Sequence, residues 1–243
     1  MKLTDTTQGA IWRNFLPQPS VPLADWLEQT LNLSNRVKVT LAYTIARSVW
    51  QYYDSYWMTK PWTHENIQIM KETISDRNQI RPHPYFTTKL HKCKDQKVDY
   101  CYADDLFHLY PGILALGVVL VEIATKQPFR PGRPHYIWDE TTINEYYEWA
   151  WTTANCSKLG STIGAAYESV VNNCLDSELF RHGSINPSKS DKDLQTRQSL
   201  LYEKVVLPLQ ELYHAYKDDW EIQDISRSVL TLTRNFQGWK PLS

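Results

Sequence analysis

Side chains able to move protons or hold metal are plentiful in this chain, but few fall at spacings that make a site. Glu145 with Glu148, and Asp104 with Asp105, are the pairs that acid and base chemistry could use, yet such pairs are also common on solvated helix faces. His91, Cys93 and Cys101 offer nitrogen and sulfur ligands, but the four cysteines (Cys93, Cys101, Cys156, Cys174) lack the paired spacing of a zinc site. No Gly-X-Ser-X-Gly turn is present to expose a nucleophilic serine, and no glycine-rich loop to cradle phosphate. No catalytic residue, bound metal or cofactor is therefore assigned. One polar residue stands out by its setting: Glu122 ends the apolar run "ILALGVVLVE".

The elements that would hold these residues follow from periodicity. Ser34 suits a helix N-cap, and Val37, Leu41, Ile45, Val49 and Tyr53 recur every four positions behind it, with Ala42, Ala46 and Trp50 widening the stripe. From Tyr110 to Phe129 the chain predicts a helix of about four turns, started by Pro111 and ended near Lys126, whose charge complements the helix dipole. A membrane span needs roughly twenty mainly apolar residues, and the block Ile113 to Val121 is shorter. Burial within protein is the expectation. Gly117 costs about 1 kcal/mol of helix propensity relative to alanine, which points to a second backbone passing close by.

Between these helices "IQIM" reads as a brief strand, and residues 76–105, with Pro82, Pro84 and "KLHKCKDQK", as a long surface excursion. Later segments read as two packed helices, the second capped by Ser161, then a polar loop, then a helix interrupted or kinked at Pro208. The terminal "SVLTLTRNF" fits either a strand or a last helical turn. Three prolines in "LPQPSVP" make residues 1–22 an extension or linker, with one helical domain over 23–243.

Composition narrows the function classes. The 26 basic and 27 acidic side chains nearly cancel, so nothing in the charge balance favours nucleic acid or an anionic membrane. The first residues contain no apolar run of signal-peptide length, so a cytoplasmic setting with reduced thiols is expected. Ten Trp and fifteen Tyr favour a packed globule and leave scope for aromatic anchors on a protein partner. Tyr136, Trp138, Tyr146 and Trp149 in "HYIWDETTINEYYEWAW" are the candidate anchors. Alternate members of that set must face the core.

The order of elements resembles the C-terminal lobe of the protein kinase fold over roughly residues 20–180. Asn66 with Ile67 matches the asparagine that ends the kinase catalytic loop before a small hairpin; Leu116, Gly117, Val118, Val119, Leu120 and Glu122 match the "SLGVVLYEL"-like helix behind the activation segment. More narrowly, "LSNRVKVTLAYTIARSVWQYYDSYW", "WTHENIQI", "ILALGVVLVEI" and "LYEKVVLPLQEL" look like a fungal kinase-like domain of unknown function, often found beside prion-forming or cell-death modules. The resemblance implies a mainly α, kinase-like helical domain with at most a few short strands, lacking the nucleotide-binding lobe.

It also exposes what has been lost. Kinase chemistry needs an aspartate five positions before the loop asparagine; that position is Pro61, which can neither take a proton nor bind metal. Asp76 is the sole loose counterpart of the metal-binding aspartate, Gly112 replaces the aspartate that anchors the loop from the helix start, and the 33 residues before Ser34 contain one glycine, Gly9. Phosphoryl transfer depends on charge stabilisation and positioning. The reading is a pseudokinase-like protein-interaction or regulatory module in signalling or cell death. The alternative is a small-molecule transferase or cyclase built on the same scaffold.

Overall fold

A computed structural model describes residues 14–15, 19–53, 55, 62–74, 79–87, 105–132, 139–181 and 191–216. The fold is mainly α with a small antiparallel sheet. Strands β1 (Asn14–Phe15) and β2 (Val21–Pro22) precede helices α1 (Leu23–Gln29) and α2 (Asn35–Gln51); a 3-10 turn, His64–Asn66, leads into β3 (Ile67–Ile74) and β4 (Gln79–Phe86). Helices α3 (Pro111–Thr125), α4 (Glu140–Cys156), α5 (Leu159–Thr162) and α6 (Ala165–Leu175) follow, and α7 (Asp191–Leu201) continues through a π turn, Tyr202–Val206, into α8 (Leu207–Ala215). No helix among the described residues is long and apolar enough to cross a membrane.

α3 is the axis of the core. Every residue from Ile113 to Ala124 is buried, and α2, α4 and α6 pack around it. A helix apolar on all sides needs neighbours on all sides. Burying each large aliphatic side chain contributes about 1.5–3 kcal/mol. Gly117 makes the closest of these approaches possible: a Cβ there would lie 3.0 Å from the Cβ of Cys174 and 3.1 Å from Cδ2 of Leu175 on α6. Tyr167, also on α6, donates its buried hydroxyl to the Leu120 carbonyl at 2.8 Å. Pro111 opens α3, and Lys126 closes it in the left-handed conformation, its N–H bonded to the Glu122 carbonyl at 2.7 Å. Lys38 on α2 donates to the Ala124 carbonyl at 2.6 Å, so a cation satisfies one of the last acceptors of the helix.

Ser34 caps α2, accepting from the Val37 N–H, and Val37, Leu41, Ile45, Val49 and Tyr53 are all buried. Four expectations need correction. The strand at "IQIM" runs for eight residues and pairs with a second strand in the segment read as a surface excursion, in register from Ile67 opposite Phe86 to Ile74 opposite Gln79. Pro82 and Pro84 argued against a strand, but prolines two apart direct their donor-less nitrogens to the same side, so an edge strand can keep both on its unpaired side. Asn14–Phe15 and Val21–Pro22, within the expected linker, pair with β3 and join the sheet. Ser161 lies inside the one-turn helix α5; α6 starts after Gly164, whose φ of +133° turns the chain as a non-glycine residue would not.

At Pro208 the helix runs on instead of breaking. Proline cannot donate to the Lys204 carbonyl four residues earlier. The π turn widens the helix there, Leu207 N–H reaching the Tyr202 carbonyl, and Asn173 of α6 donates its side-chain amide to the Lys204 carbonyl at 3.0 Å. The tail "SVLTLTRNF" lies outside the described residues.

Candidate functional site

Asn66 and Glu122 meet through a third residue, His64. Thr63 and Asn66 form a reciprocal cap around the turn His64–Asn66: Asn66 Oδ1 accepts from the Thr63 N–H at 3.0 Å, and Thr63 Oγ1 accepts from the Glu65 N–H at 3.2 Å. The Asn66 carbonyl accepts from the Thr87 N–H at 2.7 Å, closing the mouth of the β3–β4 hairpin. Asn66 is thus a loop tie. The fixed turn aims His64 inward, where its Nδ1 lies 2.6 Å from Oε1 of Glu122 on α3. The same oxygen accepts from the Phe129 N–H at 2.8 Å, so a single carboxylate joins the turn, the core helix and the connector that follows it.

Both side chains of the pair are buried, at 3% and 0% exposure, which decides their energetics: an ion pair here is worth keeping only while both partners are present. Burial is the largest influence on His64 and disfavours its charge, but the bond to Glu122 and the charges of Glu122 and Glu65 outweigh it, with Arg130 opposing, so its pKa is raised above 6.5. Glu122 Oε2 is buried and has no hydrogen-bond partner among the described residues. The Tyr146 hydroxyl senses this negative site. Burial first, then the charges of Glu122, Glu65 and Glu145, push its pKa up.

Aromatic rings wall the pair. Phe129 packs edge-on to Tyr146 at 4.9 Å and stacks on Trp149 at 5.0 Å, while Trp62 meets Phe86 edge-on at 5.2 Å. This overturns one of the candidate anchors and leaves another partly exposed. Tyr146 is core, 1% exposed, and Trp149 is half-buried against Phe129. Tyr136 and Trp138 lie outside the described residues. The exposed ring of α4 is Trp151, which stacks on the half-buried Tyr147, and Tyr147 in turn meets Phe107 from the loop before α3. Helical spacing carried that signal: Ile143, Tyr146, Ala150 and Ala154 form the inward stripe, Tyr147 borders it half-buried, and Trp151, one turn further on, is exposed.

The other candidates do not converge. Glu145 is half-buried with one oxygen unpartnered, Glu148 is exposed, and Asp105 is exposed on the loop before α3. Asp76 falls between β3 and β4, ahead of the second hairpin strand, and with Pro61, His91, Cys93, Cys101 and Asp104 it lies outside the described residues. Among the described residues no three His, Cys, Asp or Glu side chains are grouped to hold a metal ion. Cys174 is buried, which pushes its thiol pKa up and makes it an inert packing residue. His64 was not singled out beforehand; a histidine two residues before a loop asparagine has no distinctive spacing to its partner 58 positions away.

A family model described as a domain of unknown function (DUF7580) matches residues 11–216. The chain belongs to the DUF7580 family. Searches of curated proteins and of solved structures returned no match. The matched span covers the sheet, the His64–Glu122 bond and every described helix.

Proposed function

We propose that this DUF7580 domain is a catalytically silent, kinase-like module that works by binding other proteins inside the cell. The observation that carries the reading is the bond between His64 and Glu122. His64, two residues before Asn66, and Glu122 of the core helix are spent on each other in the interior, where they fasten the loop to the helix instead of facing a substrate. Element order supports the likeness: a long helix, a capped turn ending in Asn66, a hairpin, then the buried helix bearing Gly117 and Glu122. Pro61 occupies the position where a kinase needs its aspartate, and Gly112 the position of the loop anchor. A fungal origin and a regulatory place beside cell-death modules belong to the same proposal.

Thermal denaturation with and without magnesium-ATP tests the silent half, since a ligand held by the native state raises the melting temperature. No shift and no phosphoryl transfer to protein acceptors are expected. A clear shift, or transfer to any acceptor, would sink it. The binding half is tested by co-purification with and without Trp151→Ala, whose indole is exposed.

A further inference from the structure

We infer that the face formed by Phe107, Tyr147 and Trp151 receives an arginine-bearing segment of a partner protein. This deepens the interaction reading above and rests on it. Tyr147 is the middle of the row, with Phe107 at 5.6 Å on one side and Trp151 at 6.2 Å and nearly parallel, 12°, on the other. Phe107 is 53% exposed and Trp151 46%, so the outer rings offer their surfaces to solvent.

The row is held in place before anything binds. Asn144, one turn before Tyr147 on α4, accepts from the Phe107 N–H at 3.0 Å and donates to the Asp105 carbonyl at 2.7 Å. One side chain therefore clamps the loop carrying Phe107 to the helix carrying the other two rings. A site fixed in this way gives up little entropy on binding.

Charge decides the occupant. Asp105, Glu140, Glu148 and Asp176 are exposed on the segments that carry or adjoin the row; Asp176 Oδ1 accepts from the Glu178 and Leu179 N–H groups, and none of the four makes an ion pair among the described residues. Asp176 is close enough for its charge to raise the Tyr147 pKa, after the larger effect of burial. Glu178 nearby is already bonded to Arg181 at 2.9 Å. An apolar partner would strip water from these carboxylates and give nothing back. Nucleic acid and anionic lipid would be repelled. A guanidinium suits both features at once, since its flat face stacks on an aromatic ring while its edge donates to carboxylates, and it sheds water more readily than an ammonium.

The test is titration of the folded chain with the peptide acetyl-GRGRGRG-amide and its lysine and citrulline counterparts, followed by amide and indole chemical shifts. Shifts at the Trp151 indole and the Phe107 and Asn144 amides are expected for the arginine peptide, with binding at least tenfold weaker for citrulline and several-fold weaker for lysine. Trp151→Ala, and separately Asp105→Asn with Glu148→Gln, should each weaken binding about tenfold with the melting temperature nearly unchanged, and added salt should weaken it further. Equal binding of the citrulline peptide, shifts confined to another face, or no shift at millimolar peptide overturns the assignment. Self-association abolished by Trp151→Ala in sedimentation velocity also overturns it, while leaving the protein-binding reading intact; a magnesium-ATP shift removes that reading instead.

Discussion

His64 and Glu122, 58 residues apart in the chain, share a 2.6 Å bond in the interior, and the same Glu122 oxygen takes the Phe129 amide. The pair is a polar rivet between the loop and the core helix. Breaking a buried pair by removing one partner costs about 3–5 kcal/mol, because the survivor is left charged and unpaired. Glu122→Ala is expected to lie in that range and His64→Ala in its lower part, by urea denaturation. The double variant should cost clearly less than the sum. Additive losses would mean that the two side chains do not depend on each other.

Gly117→Ala would ordinarily strengthen a helix by about 1 kcal/mol. Here the new methyl would meet the Cys174 Cβ at 3.0 Å, an atom rigidly tied to its backbone. Overpacking of this kind costs about 1–3 kcal/mol, so the net effect is a lower denaturation midpoint. A gain in stability would show that α3 and α6 can separate freely.

Asn173 and Pro208 form a second dependent pair, one supplying the donor that the other lacks. Asn173→Ala leaves the Lys204 carbonyl without its 3.0 Å partner and is expected to cost about 1–2 kcal/mol. In a Pro208→Ala background, where a backbone N–H becomes available to the helix, the same change should cost less. Equal costs in the two backgrounds would separate the amide from the proline.

Two histidines shape the pH dependence in opposite senses. His64 binds its proton more tightly folded than unfolded, so its contribution is full below pH 6.5 and is lost as pH rises through the raised value. His108 is fully buried, and its pKa falls to about 4; burial is the main cause, opposed by the Cys174 and Tyr110 backbone and the charge of Asp176. The unfolded chain takes up that proton first, so stability declines as pH falls from 6.5 to about 4. Urea midpoints between pH 4 and 9 check both limbs. His64→Gln should flatten the alkaline limb, and His108→Asn, which retains an acceptor for the Tyr110 N–H now bonded to Nδ1 at 3.2 Å, should flatten part of the acid limb.

Much of the helical frame was legible without coordinates. The cap and four-residue stripe of α2, the span of α3 from Pro111 to Lys126, and the close approach at Gly117 all follow from local chemistry: a hydroxyl before a periodic run, a proline that fits the first turn, a missing side chain where helices cross. The expected mainly α class is what the structure has, with a small sheet where a single brief strand was expected. Strand β4 was hidden because its prolines oppose local strand propensity, and it forms through pairing with β3. The start of α6 was misplaced because Ser161 looks like a cap, whereas Gly164 makes the turn.

The site divides along the same line. The sequence marked Gly117 and Glu122 by their places in an apolar helix, and Asn66 through the proposed kinase-like resemblance. Tertiary structure alone decided that Glu122 bonds His64, that Tyr146 is buried beside Phe129 with Trp149 stacked on the same ring, and that Phe107, Tyr147 and Trp151 form a row. The reason is range. Helix caps and periodic stripes act over a few neighbouring residues, whereas a buried carboxylate finds its partner, and an aromatic residue its inward or outward side, only when distant segments pack together.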